Sequence, residues 1–378
     1  MKLIYFFIIF IFLFGCKSET KNNILNEKFE QVNLKYAKSF EIYKSKNIVK
    51  IKVKNPWQKA NKVEFEYFLT SSDSVLNSSS SDINFIKIPV NRVVCFSTTY
   101  IGFIDLLNKN STIIGISGIE NVYNKYIRSR IENKLIKEVG NDQDINYELI
   151  LSLKPDVVFL YGIESEISSK IYKLNNLGIK TVLVAEYLEE TPLAKTEWLK
   201  FFSLFFNDFE KADSLFTNIE IRYKNLLAVA DSIKEKPKIL INVPYNGIWY
   251  LPGGKSYMAN FIKDAGGNYP WKTNEQYESF PLDFENIFIK SKDADILINP
   301  GIYNKIEQIV NLDSRISNIN AITKKQVYNN NNLLNYNGGN DFWESGIVKP
   351  DLILKDLIKI FHQNIFFEDS LYFYRKLD

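Results

Sequence analysis

Two periodicities alternate along this chain. Short apolar runs at 93–96, 113–116, 157–160 and 181–184 are separated by segments 101–107, 148–153 and 168–177, in which apolar residues recur every three or four positions. The short runs predict buried strands and the three-to-four spacing predicts helices packed on them. The pattern restarts further on, with strands predicted over 239–243 and 296–298 and helices over 257–265 and 284–290. Strand and helix in alternation specify a parallel sheet covered on both faces, because a parallel crossover needs an intervening segment long enough for a helix. The predicted fold class is α/β, with two lobes, each a mostly parallel sheet flanked by helices.

Between the lobes lies the strongest helical signal. Thr191 can cap and Pro192 can occupy the first turn, after which Phe201, Phe205, Phe209, Ala212, Phe216, Ile219, Tyr223, Leu226 and Ala230 recur at intervals of three or four. Asn207-Asp208 can split this run, leaving a main helix from about 208 to 234, roughly 40 Å long at about 1.5 Å per residue. One long interlobe helix is therefore expected. A coiled-coil surface would show a similar stripe, but the aromatic width of this face suits burial against the chain's own lobes. A second helix is expected from Pro350, where Ile353, Leu357 and Phe361 share a face. The single histidine, His362, follows it and is read as a C-terminal residue favoured by the helix dipole.

The N-terminal part reads differently. Lys2 precedes the apolar run 3–14 and then Gly15-Cys16, a stretch too short to span about 30 Å of hydrocarbon. It resembles a bacterial lipoprotein signal, which implies cleavage before Cys16, lipidation of that cysteine and an extracytoplasmic, membrane-anchored protein; an ordinary signal peptide or anchor is the alternative. The expected organisation is a signal peptide over 1–15, a lipidated flexible tether over 16–35, an N-terminal lobe over 36–191, a linking helical region over 192–236 and a C-terminal lobe over 237–378. Within the first lobe, 40–53 and 63–69 alternate apolar and polar residues and suggest short strands of an N-terminal extension.

Composition narrows the chemistry. The net charge is only +3, and no dense Lys/Arg block offers a phosphate-binding stripe, so a nucleic-acid partner is not expected. One histidine removes zinc hydrolases and His-rich metal carriers, and it stands beside no nucleophile. With Cys16 modified, Cys95 stands alone in an apolar run and reads as a small buried side chain. Residues 252–256, Pro-Gly-Gly-Lys-Ser, end like a phosphate loop, but Trp249 occupies the position where that motif needs glycine, so a Gly-rich turn is predicted.

The segments Glu148 to Asp156, 192–198, 247–257, 264–267 and 348–351, in that order, resemble the helical-backbone class of substrate-binding proteins of ATP-driven importers, the class that carries ferric siderophores, heme and cobalamin. The resemblance covers nearly everything from residue 36 onward. It implies a monomeric binding protein rather than an enzyme. It also implies a ligand held between the lobes, containing iron or cobalt with no further cofactor, and delivery to a permease and its ATPase. One glutamate per lobe docks on the permease in this class; by motif these are Glu148 and Glu285. Where the class has His-Pro near its C-terminus, this chain has His362-Gln363.

Ligands of α/β sheets sit beyond the carboxyl ends of strands, which makes Thr99, Tyr100, Tyr161, Tyr187, Trp249, Tyr250, Trp271 and Trp343 the candidate cleft residues, Trp249 and Tyr100 foremost. Flat amphipathic walls suit a macrocycle or an aryl chelate, with an iron chelate as the expected ligand and a corrinoid as the alternative. With six arginines in the chain, an anionic chelate would lean on Arg128, Arg130 or lysines. The rival from another class is a carboxylate-dependent hydrolase, using Asp293 with Asp295 or Glu164 with Glu166.

Overall fold

The computed structural model describes residues 27–78, 85–366 and 369–378. The signal peptide, Cys16 and most of the predicted tether lie outside the described residues. The first sheet comprises β1 (Glu30–Val32), β2 (Phe40–Lys44), β3 (Val49–Lys54), β4 (Glu64–Thr70) and β5 (Phe85–Lys87), in that spatial order. Its first three pairings are antiparallel and the last is parallel. β1 falls within the stretch read as tether, because three residues paired to β2 are too few to carry a sequence signal.

The N-terminal lobe is built on a parallel sheet of β6 (Val93–Cys95), β7 (Ile113–Ile116), β8 (Lys137–Glu138), β9 (Val157–Leu160) and β10 (Thr181–Leu183), ordered β10-β9-β6-β7-β8. β6, β7, β9 and β10 are buried at every position, as a sheet covered on both faces requires. The C-terminal lobe holds β11 (Ile239–Ile241), β12 (Trp249–Pro252), β13 (Ser279–Leu282), β14 (Ile296–Ile298), β15 (Val327–Asn329) and β16 (Arg375–Lys376). β11, β14 and β15 run parallel, β16 closes the sheet antiparallel, and β12 with β13 forms a separate two-stranded ribbon. Gly253 and Gly254 let this ribbon close: a Cβ at Gly253 would stand 2.1 Å from the Gln276 carbonyl oxygen, and one at Gly254 2.4 Å from that of Asn274. The Pro-Gly-Gly-Lys-Ser turn is thus a packing device, and its Ser256 caps the helix Tyr257–Asp264 by accepting from the Ala259 N–H.

The linking region is two helices, Pro192–Phe205 and Phe209–Asp231, broken where Asn207 adopts φ +56. Thr191 caps the first with Pro192 in its first turn. That helix is buried at all but one of its positions, which explains why its sequence is apolar around most of its circumference. Trp198, Phe201, Phe202 and Phe205 pack on the N-terminal lobe, and Phe40 of β2 packs at a tilt against Trp198 with ring centroids 4.6 Å apart.

Charge is used inside this region with full pairing. The Glu197 carboxylate, completely buried, accepts from the backbone N–H groups of Lys35 (3.0 Å), Tyr36 (2.7 Å) and Ala37 (2.9 Å) and from Lys200 Nζ (3.0 Å). Glu189 accepts from the N–H groups of Lys38 and Ser39 and from the Trp198 indole. On the second helix, burial pushes the Glu220 carboxyl up, but Lys224, Lys35 and the Tyr36 hydroxyl outweigh it and hold its pKa at about 2. Glu197 and Glu220 of the linking helices, with Glu189 just ahead of them, thereby fasten residues 35–39, the entry to β2. Tyr67 of β4 completes the attachment by accepting the N–H of Leu183 on the edge strand β10.

Residues 344–348 depart from the expected boundary of the C-terminal lobe. Ile347 and Val348 belong to the N-terminal core, Thr196 Oγ1 donates to the Ile347 carbonyl (2.7 Å), and Glu344 accepts the N–H groups of Tyr123 and Asn124. Gly102 permits this approach, since a Cβ there would lie 2.2 Å from the Glu344 carbonyl oxygen. The lobes are joined both by the linking helices and by this returning segment. His362, expected as a dipole-favoured cation, is buried with its pKa lowered by desolvation and instead bonds the Ala265 carbonyl (3.1 Å).

Glu197→Ala should lower unfolding free energy by about 3–5 kcal/mol, the cost typical of stripping one partner from a buried charged network. Urea unfolding reads this directly, and a midpoint equal to that of the unsubstituted protein would show that residues 35–39 do not need the carboxylate.

Candidate functional site

A cleft of about 890 Å³ opens between the lobes. It lies where the parallel strands of both sheets end, so loops rather than sheet faces build it. The N-terminal lobe supplies Thr98, after β6, Asn121, and residues 187–190, after β10; Gln58 reaches in from the first sheet. The C-terminal lobe supplies Asn242 directly after β11, Asn299 directly after β14 and Asn330 directly after β15. Because Ile241 is in register with Ile298, and Ile298 with Tyr328, these strand ends stand side by side. Asn242 and Asn299 both adopt positive φ (+64 and +54), a conformation that asparagine tolerates better than most residues. Tyr257, Tyr277 and Trp343 add aromatic wall.

The asparagines are ordered by a polar framework. Asn331 Nδ2 donates to Asn304 Oδ1 (2.8 Å), and the Arg375 guanidinium donates to both of their side-chain oxygens. Asn340 Nδ2 donates to the Asn330 carbonyl (3.0 Å), and Asn242 Nδ2 to that of Tyr250 (2.8 Å). Asn299 Oδ1 is buried and accepts no hydrogen bond of good geometry, and the buried Tyr374 hydroxyl lies beside the same side chain.

The predicted aromatic residues divide sharply. Tyr187 and Trp343 line the cleft; the Tyr187 hydroxyl donates to the Gly162 carbonyl (2.5 Å), and Trp343 is 54% exposed. Tyr161 lines a smaller adjoining recess that shares Thr98 and Asn121 with the cleft. Thr99 stands at the base of Trp343, its Oγ1 donating to the Trp343 carbonyl (3.1 Å). The two foremost candidates are corrected: Tyr100 is wholly buried beneath the cleft against Phe159 and Phe202, and Trp249 is 1% exposed with its indole donating to the Ile241 carbonyl. Trp271 is buried beside Tyr269, and Tyr250, on the opposite face of β12 from Trp249, projects away from the lining. Strand alternation separates Trp249 from Tyr250 on β12, whereas Tyr100 lies on the buried face of the helix Thr99–Leu106.

The charged candidates also find other roles. Arg128 donates to the Val122 carbonyl and lies over the Tyr336 ring, and Arg130 donates to the Asn110 carbonyl; neither lines the cleft. Asp293 and Asp295 both bind Lys238, and Glu164 and Glu166 are exposed ahead of the helix Ile167–Asn176. Glu148 and Glu285 each sit in the first turn of a helix and are exposed; Glu285 pairs with Arg315 (2.5 Å). Behind Tyr187, burial pushes the Glu186 carboxyl up to about 7 and lowers the Lys195 ammonium to about 8, with Lys195 Nζ donating to the Tyr187 carbonyl (3.2 Å). Glu344, beside Trp343, is likewise pushed up to about 7 by burial.

The sequence profile of the periplasmic binding protein family matches residues 93–332, the part of the chain that begins at β6. An uncharacterized lipoprotein of Methanocaldococcus jannaschii is 28% identical over 96% of this chain and 92% of its own length, so it spans the N-terminal sheet as well. Among solved structures, a possible iron-binding, periplasmic solute-binding protein from Staphylococcus epidermidis superposes with TM-score 0.56 at 17% identity, covering 72% of this chain and 99% of that one. A periplasmic heme-binding protein from Roseiflexus sp. RS-1 superposes with TM-score 0.54 at 17% identity, covering 72% and 98%.

Two outcomes follow from this geometry. Glu186 and Glu344 have folded pKa values near 7, above the ordinary carboxylate value of about 4.3, so the folded protein holds more protons between those limits and stability rises as pH falls through 7. Lys195, lowered to about 8, opposes part of this rise across the same range, and His362, with its lowered pKa, does so below about 6.5. Unfolding free energy should therefore increase by on the order of 1 kcal/mol from pH 8 to 6.5. Glu344→Gln should flatten that rise, and a flat profile in the unsubstituted protein would contradict the assignment. Second, Trp343→Ala should remove most of any ligand-induced tryptophan fluorescence change, whereas Trp249→Ala should cost about 3–5 kcal/mol of stability as a core cavity. An undiminished signal in Trp343→Ala would place the ligand elsewhere.

Proposed function

The chain belongs to the periplasmic binding protein family, whose members bind solutes rather than catalyse reactions, and on that premise we propose that it captures a metal chelate and delivers it to the permease and ATPase of an importer. The observation that carries this reading is the interlobe cleft: about 890 Å³ of space walled by Tyr187, Tyr257, Tyr277 and Trp343 suits a bulky, flat, partly apolar solute. An iron siderophore or heme is the first reading of the ligand. The asparagine row favours a corrinoid as the second, because carboxamides pair with other amides.

Its place is extracytoplasmic. An anchor through lipidated Cys16 fits the N-terminal sequence, and the M. jannaschii relative is itself called a lipoprotein. Glu148 and Glu285 are the docking residues of this reading, one on each lobe and each exposed in the first turn of a helix, as carboxylates that pair with cationic pockets must be. Paired surface carboxylates set orientation and encounter rate more than affinity, so salt should weaken docking. The Arg315 partner of Glu285 holds that side chain in place.

Uptake of radiolabelled iron chelate or corrinoid by cells expressing the protein with its importer tests the proposal. Glu148→Ala combined with Glu285→Ala should abolish transport while leaving solution affinity unchanged. Full transport by the double variant would dismiss these glutamates, and an absence of binding to every chelate and corrinoid tried would dismiss the ligand class.

A further inference from the structure

The cleft is built from carboxamides and lacks cations. None of its lining residues among the described ones is Lys, Arg or His, whereas seven are Asn. Three of these, Asn242, Asn299 and Asn330, stand in a row at the ends of adjacent parallel strands, the position at which α/β sheets present ligand-binding groups. Asn299 is nine-tenths buried at the cleft wall, where its side chain interacts with the buried Tyr374 hydroxyl but Oδ1 accepts no hydrogen bond of good geometry, so a ligand donor there would be favourable.

Several cations beside the cleft are committed elsewhere. Lys195 donates to the Tyr187 carbonyl from behind the wall and feels the charges of Glu186 and Glu189. At the rim Lys38 pairs with Glu190 (3.7 Å) and Lys255 with Glu275. Arg375 is spent on ordering Asn331 and Asn304. The carboxylates that do line the space, Glu190 and Glu278 among them, repel anions. Burying a charge without a partner in such a site carries a large desolvation cost.

We infer that the asparagine row makes this cleft selective for solutes that are uncharged over the surface they bury and that offer hydrogen-bond donors, and that it discriminates against anionic chelates. This deepens the reading of the cleft as a chelate-binding site and rests on it. It narrows that reading to uncharged complexes such as ferric trihydroxamates or corrinoids with amide side chains. Trianionic tricatecholates and heme, with its two propionates, fall outside it. Hydrogen bonds from preformed carboxamides also make affinity nearly independent of salt, unlike recognition by arginines.

Equilibrium titrations of the full chain against four probes separate the outcomes: a ferric trihydroxamate, cyanocobalamin, a ferric tricatecholate and heme. Tightest binding should go to one of the two uncharged probes, at least tenfold over both anions and changing less than threefold between 50 and 500 mM salt. Asn330→Ala should weaken that probe by roughly fivefold or more, with urea unfolding unchanged to show that the fold is intact; Asn242→Gly, which accepts the positive φ of that position, should weaken it likewise. Tightest binding to the tricatecholate or heme, or a tenfold fall with salt, would overturn the charge selectivity while leaving the chelate-binding reading standing. Binding of none of the four would instead overturn the chelate-binding reading on which it rests.

Discussion

The helix Pro192–Phe205 is the element on which the remaining architecture depends. It is buried on nearly every side because three separate bodies meet on it: the N-terminal sheet through Phe40, the first-lobe core through Phe201, Phe202 and Phe205, and the returning segment through Thr196. A helix in that position cannot present a polar face to water, so its charged residues must be neutralised internally. Glu197 and Lys200 accomplish this for each other, and Glu197 uses its remaining acceptor capacity on the backbone of residues 35–37. One charged pair therefore serves both the linker and the attachment of the added sheet.

The same device recurs wherever an irregular segment must be held without a ladder. Asp156 accepts the N–H groups of Asn91 and Arg92, Glu344 those of Tyr123 and Asn124, and Asp356 those of Tyr372, Phe373 and Tyr374. A carboxylate is acceptor-only when ionised, so it can satisfy two or three converging donors that no single carbonyl could reach. Glu344 matters most for function, because it ties the returning segment that carries Trp343 to the opposite lobe. With Asn335 bonding the Glu120 and Val122 carbonyls nearby, the cleft is bridged on one side as well as spanned by the helices. This double connection opposes wide separation of the lobes on that side.

Function then follows from where the strands end. Parallel sheets in both lobes direct their carboxyl-end loops into one gap, and the residues after β11, β14 and β15 are asparagines. Positive φ at Asn242 and Asn299 explains asparagine there on backbone grounds alone, and the same side chains furnish the polar lining. Structural need and recognition coincide at these positions.

The sequence by itself determined the α/β class, the restart of the pattern in a second lobe, the linking helices with their break at Asn207, and the membership of a binding-protein family. Each rests on local periodicity, on capping residues or on ordered motifs. The tertiary structure alone decided which aromatics face the cleft. Tyr100 and Trp249 carry the same local signal as Tyr187 and Trp343, but packing against Phe202 and against β11 takes the first pair into the core. The asparagine row left a trace in the sequence, an Asn inside the predicted strand 239–243, another directly after 296–298 and the run at 329–332, but its meaning appears only when three distant strand ends are brought side by side. Burial and register are properties of contacts between segments far apart in the chain, and no single stretch of residues encodes them.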